Sequence, residues 1–225
     1  MSFLSFFKEY KKFGIFFSVL SIIILVIIYN ILNVDKPLPI YQPVNFEAKL
    51  VDSSIQHIEK YHTVADFKLV NQNGDTITQD TYKDKIYVAD FFFTTCRTIC
   101  PIMTENMVTV QEEILKYDDV MLLSHSVTPE IDSVAQLKKY AKEKGVNDNV
   151  WNLVTGDKKQ IYDLARKSYL VVEDDGMGNY GMVHTENFAL IDKKRQIRGI
   201  YNGISQGGID SLLQDIEILK KEYTQ

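Results

Sequence analysis

Positive charge is in short supply along this 225-residue chain, which sets 25 Lys and Arg against 30 Asp and Glu. Nucleic-acid binders gather a basic excess into a stripe, so the mildly acidic balance excludes nucleic acid as a partner. No internal repeat or low-complexity tract occurs, which excludes a solenoid. Cysteine is scarce: Cys96 and Cys100 are the only two. A bridge between them would close a tiny loop and constrain the unfolded chain little. About 170 to 190 residues remain after the N-terminal segment, enough for one domain with a full core and no staple. The pair therefore points to chemistry.

Charge of either sign is missing from Phe13 to Val34, where most residues are Ile, Val, Leu or Phe. Roughly 20 apolar residues let a helix cross a bilayer core of about 30 Å. A cleaved signal peptide would have a shorter apolar region, roughly 7 to 15 residues, ending in a small-residue site. The run here ends at Tyr29-Asn30-Ile31-Leu32-Asn33-Val34 with no such site, so it reads as a retained anchor. Lys8, Lys11 and Lys12 precede it, and a basic flank stays in the cytoplasm. The expected division is a cytoplasmic N-terminus (1–13), a transmembrane anchor (14–34), a linker (35–55) and one globular domain (56–225). The anchor is then a single pass through the cell (inner) membrane, with the domain extracytoplasmic or periplasmic. Pro37, Pro39 and Pro43 suit an extended linker holding the domain off the membrane. Outside the cytoplasm thiols oxidise unless a reductant or a metal intervenes.

Beyond the linker, strands and helices alternate. Asp66 to Val70 and Thr76 to Thr78 flank Asn73-Gly74, a strong hairpin signal. The continuous apolar runs Ile86 to Phe93 and Val120 to Val127 suit strands buried on both faces. Met103, Met107, Val110 and Ile114 recur at helical spacing between them. A helix from about Asp132 to Lys144 stops at Gly145. A short strand, Val150 to Val154, precedes a helix opened by a capping box of Asp157 and Gln160. After an acidic, glycine-rich loop (Glu173 to Gly181), strands Asn187 to Ile191 and Gln196 to Tyr201 precede a last helix carrying Ile209, Leu212, Ile216 and Leu219. Helices between buried strands mean a covered sheet. The fold class is α/β, a central mixed sheet flanked by helices, and the order resembles the thioredoxin fold with an N-terminal hairpin extension.

Cys96 closes the loop after the first long strand, and Cys100 lies about one helical turn on, so both sulfurs meet on one side. N–H groups at a helix start favour negative charge, and Arg97 adds a positive one, so both thiols are expected to be acidified. Pro101 suits a first turn. Such a pair can be a redox disulfide, a soft-metal site or a peroxidatic site. The peroxidatic pattern needs Pro at 89 and Thr or Ser at 93, where Ala89 and Phe93 stand.

The stretch from Asp90 through Thr94-Thr95-Cys96-Arg97-Thr98-Ile99-Cys100-Pro101 resembles the C-x-x-x-C-P signature of the Sco (SenC) family of copper chaperones. Thioredoxins use C-x-x-C, so the extra residue discriminates. Trp151 to Gly156 and Val183 to Asp192 also resemble the family, and the likeness runs from about residue 62 to 222. The family's S-V-D-P-E-R-D reads Ser126-Val127-Thr128-Pro129-Glu130-Ile131-Asp132, without the first Asp and the Arg. Of the four histidines, His57 and His62 read as surface or satisfied residues and His125 as a core or hydrogen-bonding one. His184 precedes the strand from Asn187, where thioredoxin-like proteins place a cis-proline facing the cysteines. The resemblance makes His184 the third copper ligand beside Cys96 and Cys100. Two thiolates and an imidazole suit Cu(I) and Cu(II) alike, whereas zinc prefers four ligands. The implied role is a metallochaperone rather than an enzyme in the strict sense, and its partner the cytochrome c oxidase subunit that carries Cu-A. The alternative is a thiol-disulfide oxidoreductase with Cys96 attacking and Cys100 resolving, recycled by a thioredoxin-like reductant. Met177, Met182, Asp174 and Asp175 lie in or beside the 173–181 loop and can supply a transient ligand; a solvated loop is the plainer reading.

Overall fold

The structure, a computed structural model, describes residues 10–32, 37–46, 51–171 and 185–224. It falls into two compact units, Met1–Pro37 and Leu38–Gln225. The first holds helix α1 (Lys11–Leu32). Its span Lys11–Tyr29 is long and apolar enough to cross a membrane. Phe13 and Phe17, one turn apart, pack their rings at 4.7 Å, as side chains four residues apart on a helix do.

The second unit is built on one seven-stranded sheet in the order β2-β1-β5-β4-β3-β6-β7. The strands are β1 (Lys68–Asn71), β2 (Thr76–Thr78), β3 (Ile86–Phe92), β4 (Val120–Ser126), β5 (Trp151–Thr155), β6 (Asn187–Ile191) and β7 (Ile197–Asn202). β3, β4 and β5 run parallel, and the outer strands run antiparallel to them, so the sheet is mixed. All seven residues of β3 are buried, which is why the sequence shows an apolar run rather than alternation. Ile86, Val88 and Phe92 face a core with helices α2 (Ile99–Ile114), α3 (Val134–Lys144) and α5 (Gln206–Glu222). Tyr87, Ala89 and Phe91 face a second core, closed by α4 (Lys158–Asp163) and the π-helical turn Leu164–Ser168 that continues it.

Local chemistry sets the ends of these elements. Gly74 takes φ +86° in the β1–β2 turn, and Gly145 takes φ +74° as the left-handed cap of α3, conformations that suit glycine. Helix α3 starts two residues later than the sequence suggests, because Ser133 is its N-cap and Asp132 is engaged elsewhere. The capping box at α4 forms on one side. Asp157 Oδ1 accepts the Gln160 N–H at 2.7 Å, but the Gln160 side-chain Oε1 accepts the N–H of Lys68, tying α4 to β1.

The proline-bearing stretch expected as linker is docked from Leu38 to Phe46. Tyr41 N–H donates to the Ile197 carbonyl (2.9 Å), and Gln42 and Pro43 are buried. Arg198 on β7, 5 % exposed, is the clasp. Its guanidinium donates to the carbonyls of Leu38 (2.8 Å) and Pro39 (3.1 Å), to Asp192 Oδ2 (3.1 Å) and to Glu222 Oε2 (2.6 Å). Glu222 Oε1 in turn accepts the Leu38 N–H at 2.6 Å. An arginine fork can serve this many acceptors in one plane; lysine cannot.

Removing one member of a buried ion pair strands the other and costs about 3–5 kcal/mol. Arg198→Met is therefore expected to lower the unfolding free energy of the full chain in detergent by an amount in that range, read as a lower urea midpoint. A midpoint equal to wild type contradicts the clasp.

Candidate functional site

β3 ends at Phe92, and its chain continues through Phe93–Thr98 into the first turn of α2. Cys96 N–H donates to the Phe93 carbonyl (3.3 Å), folding this loop into a turn. Cys96 is half-buried; Cys100, the second residue of α2, is buried. Both are free thiols, and they hydrogen-bond each other. Thr98, the N-cap, makes no side-chain cap bond. The Cys96 sulfur lies beside this helix start, 3.6 Å from the Thr98 hydroxyl.

The two sulfurs differ sharply in acidity. Partial burial pushes the Cys96 thiol up, but the N–H groups of Thr98 and Cys100, with the Thr98 hydroxyl and the Cys100 thiol, outweigh it and bring it down to about 7. The sequence reading assigns part of this to Arg97. That side chain is exposed, and the hydrogen bonds account for the lowering. Nor is Cys100 acidified as expected. Burial pushes it up to about 12, the Phe93 N–H opposing and the neighbouring Cys96 and Asp90 adding to the rise.

Behind the cysteines the core is polar at a few chosen points. Thr104 donates to the Cys100 carbonyl (2.8 Å) and pairs with the Tyr140 hydroxyl (2.8 Å). Tyr140 lies against Phe92, ring centroids 5.5 Å apart. Asp90, 3 % exposed on the Cys100 face of β3, has one carboxylate oxygen without a hydrogen-bond partner among the described residues. Burial raises it to about 7, a hydrogen bond from Ser124 opposing. Asp90 is legible afterwards as the one charge inside an apolar strand, since buried charge needs a reason. Asp132 is a second residue the sequence reading passes over. It is fully buried, and its carboxylate accepts from the Thr94 hydroxyl (2.5 Å), the Thr94 N–H (3.2 Å), Ser126 (2.6 Å) and Thr128 (3.1 Å).

The histidines separate. His57 is exposed. His62 is buried, its Nε2 2.8 Å from the Ser168 carbonyl. His125 stands in the ladder opposite Phe91, stacked on that ring at 4.7 Å and edge-on to Tyr169. Burial pushes it down to about 4, and it belongs to the aromatic core. His184 lies outside the described residues, as do Met177, Met182, Asp174, Asp175 and the whole 173–181 loop. The chain is described again from Thr185, whose hydroxyl donates to the Val171 carbonyl (2.6 Å). It then enters β6, beside the C-terminal half of β3 and inside the edge strand β7.

A mixed sheet whose central parallel strand delivers a cysteine pair to a helix start defines a thioredoxin-like thiol protein, here with three residues between the sulfurs. Within that class the chain belongs to the SCO1/SenC family, whose model matches residues 55–220. It is 31% identical over 158 residues to the SCO1 protein homolog of Bacillus subtilis (strain 168), covering 69% of this chain and 82% of that one. Among solved structures it is similar to BsSco, described as a member of the Sco family of cytochrome c oxidase assembly proteins with a disulfide switch. There the TM-score is 0.60 at 31% identity, covering 69% of this chain and 92% of that one. ScoI of Bradyrhizobium japonicum, solved with copper bound, gives a TM-score of 0.56 at 25% identity, covering 71% and 99%.

Only a thiolate is a good nucleophile, so the two acidities separate the cysteines kinetically. Iodoacetamide should alkylate Cys96 at a rate that climbs with pH, with an inflection near about 7, where its thiolate forms. Cys100 should stay unmodified across the same range. Peptide mapping showing equal labelling of both at pH 7 contradicts the assignment.

Proposed function

We propose that the protein is a membrane-anchored copper metallochaperone that assists assembly of the Cu-A centre of cytochrome c oxidase, with copper held by Cys96, Cys100 and His184. The observation that carries the reading is the mutual reach of two thiols at a helix start, one acidified to about 7. Family membership, a copper-bound relative and a relative described as an oxidase assembly protein support it. The donor set fits the cargo: two soft sulfurs favour Cu(I), and an imidazole extends the set to Cu(II). Cys96 supplies a thiolate near neutral pH, and Cys100 gives up its proton only to a metal strong enough to displace it. A site assembled this way loads and unloads by ligand exchange, as a chaperone must.

Residues 14–34 serve as a single-pass anchor in the cell (inner) membrane, with residues 1–13 cytoplasmic and the domain outside. The anchoring rests on the apolar span Lys11–Tyr29 and its basic flank. Residues 35–55 then serve as the linker to the globular domain, with Leu38–Phe46 lying against that domain.

One observation favours a second reading, thiol-disulfide exchange. An accessible, acidified Cys96 beside a buried, high-pKa Cys100 is the asymmetry of an attacking and a resolving thiol. The Cys96 thiolate would attack a partner disulfide, and Cys100 would displace the mixed disulfide. The partner leaves as a dithiol, Cys96 and Cys100 are left oxidised, and a thioredoxin-like reductant restores them. His184 as a ligand discriminates the two, because exchange has no use for it.

Metal stoichiometry tests the proposal. The reduced full chain, loaded anaerobically, should hold one copper per monomer. Cys96→Ala or Cys100→Ala should abolish retention, and His184→Ala should weaken it strongly. Tight one-to-one binding in all three variants sinks the ligand assignment.

A further inference from the structure

We infer that Ile40, Val44 and Tyr61 form a docking face for the phospholipid bilayer surface, so that the globular unit makes a lipid contact of its own. The inference rests on the proposed anchor and adds a second contact to that tether. Among the described residues of the globular unit, the exposed large apolar side chains are Ile40, Val44, Tyr61, Ile102, Leu115 and Ile131. The first three, 46 %, 50 % and 91 % exposed, fall in two short segments that lie side by side. The Val44 N–H donates to the Ile58 carbonyl (3.2 Å), and the His62 N–H donates to Gln42 Oε1 (2.8 Å).

Tyr61 takes φ +66°, a left-handed conformation that is an outlier for a bulky residue. The chain beyond it is fixed, since His62 is held at its N–H by Gln42 and has Nε2 2.8 Å from the Ser168 carbonyl. Glycine would take this turn without strain. An almost fully exposed ring adds little to the core, so its presence here needs another reason. A tyrosine suits the boundary of water and hydrocarbon, with an apolar ring and a polar tip.

Charge and reach choose the occupant. Residues 37–46 carry no charged side chain, and Glu59 and Lys60 beside Tyr61 offset each other. Under the strap, the Arg198 guanidinium is buried and paired with Asp192 and Glu222. The strap thus has no charged side chain to desolvate on entering a headgroup layer, and none to steer a charged protein partner. Three residues, 35–37, lie between Val34, the last of the proposed anchor, and Leu38. Fully extended, those four steps cover at most roughly 14 Å. The Arg198 and Glu222 bonds to Leu38 hold the strap on the domain, so the tether stays short. A bilayer surface is then always within reach of this face, at an effective concentration that a free partner does not match.

The test uses the full chain reconstituted in phosphatidylcholine vesicles, with and without bromine on the acyl chains, and reads tryptophan fluorescence. Trp151 is the only tryptophan and is buried, so the wild type supplies the background. Ile40→Trp, Val44→Trp and Tyr61→Trp should each be quenched at least about twofold by brominated lipid, as side chains at the headgroup–acyl boundary are. The quenching should persist in about 1 M salt, where surface charge is screened. Leu115→Trp, at the exposed C-cap of α2, should not be quenched. Adding Val44→Asp and Tyr61→Asp to Ile40→Trp should remove its quenching and leave the circular dichroism unchanged. Quenching at 44 and 61 no greater than at 115, quenching at 40 that survives the aspartates, or quenching lost in salt overturns the inference. Should the aspartate variant misfold, the reporters at 44, 61 and 115 decide it. A chain that alkaline carbonate strips from the vesicles defeats the anchor and this inference with it. A chain retained but unquenched defeats the inference alone.

Discussion

The parallel pairing of β3 with β4 runs unbroken from Ile86↔Val120 to Phe92↔Ser126, and the site depends on where it stops. Both strands lie in the middle of the sheet with cores on either side, so their register cannot slip without turning each core-facing residue to the wrong face. The Val127 N–H adds one further bond to the Phe92 carbonyl at 2.9 Å, and there the strands part. One chain leaves as the cysteine loop and the other as the turn that carries Asp132. Adjacent exits from a locked pair are what let a carboxylate 38 residues away hold Thr94.

From that fixed exit the chemistry of the two sulfurs follows by environment alone. Three residues lie between them, and they share one helix start. Cys96 meets backbone donors at a half-open surface, whereas Cys100 turns inward toward Met103, Phe92 and the buried Asp90. The same two groups therefore offer a ready thiolate and a reluctant one. Copper binding and thiol exchange draw on that same asymmetry, which is why geometry at the cysteines alone does not separate them. The separation falls to His184, the proposed third ligand.

Much of this architecture is legible in the sequence because it rests on local or periodic signals. β3 and β4 show as apolar runs since both faces are buried, and the β1–β2 turn shows as Asn73-Gly74. Met103, Met107, Val110 and Ile114 mark the buried side of α2 by their spacing. What escapes the sequence is held by partners distant along the chain. Leu38 to Phe46 looks like a linker because its prolines are visible, while the Arg198 bond that docks it spans 160 residues and leaves no pattern. Gln160 at position three of a helix reads as half of a capping box, but the Lys68 N–H claims it first. At the site, spacing and position pick out Cys96 and Cys100. Their opposite acidities do not follow from spacing, because burial of one residue among its neighbours is a tertiary fact. Asp132 reads as an ordinary helix-start residue until its four donors are seen. His184 is named by the family resemblance, and the described residues resume just after it.

X-ray absorption at the copper edge, on the copper-loaded full chain, tests the central claim most directly, since it reads the ligand atoms themselves. The account predicts a first shell of two sulfurs and one imidazole nitrogen, with the nitrogen lost in His184→Ala. A shell of nitrogen and oxygen alone, or one unchanged by that substitution, would contradict it.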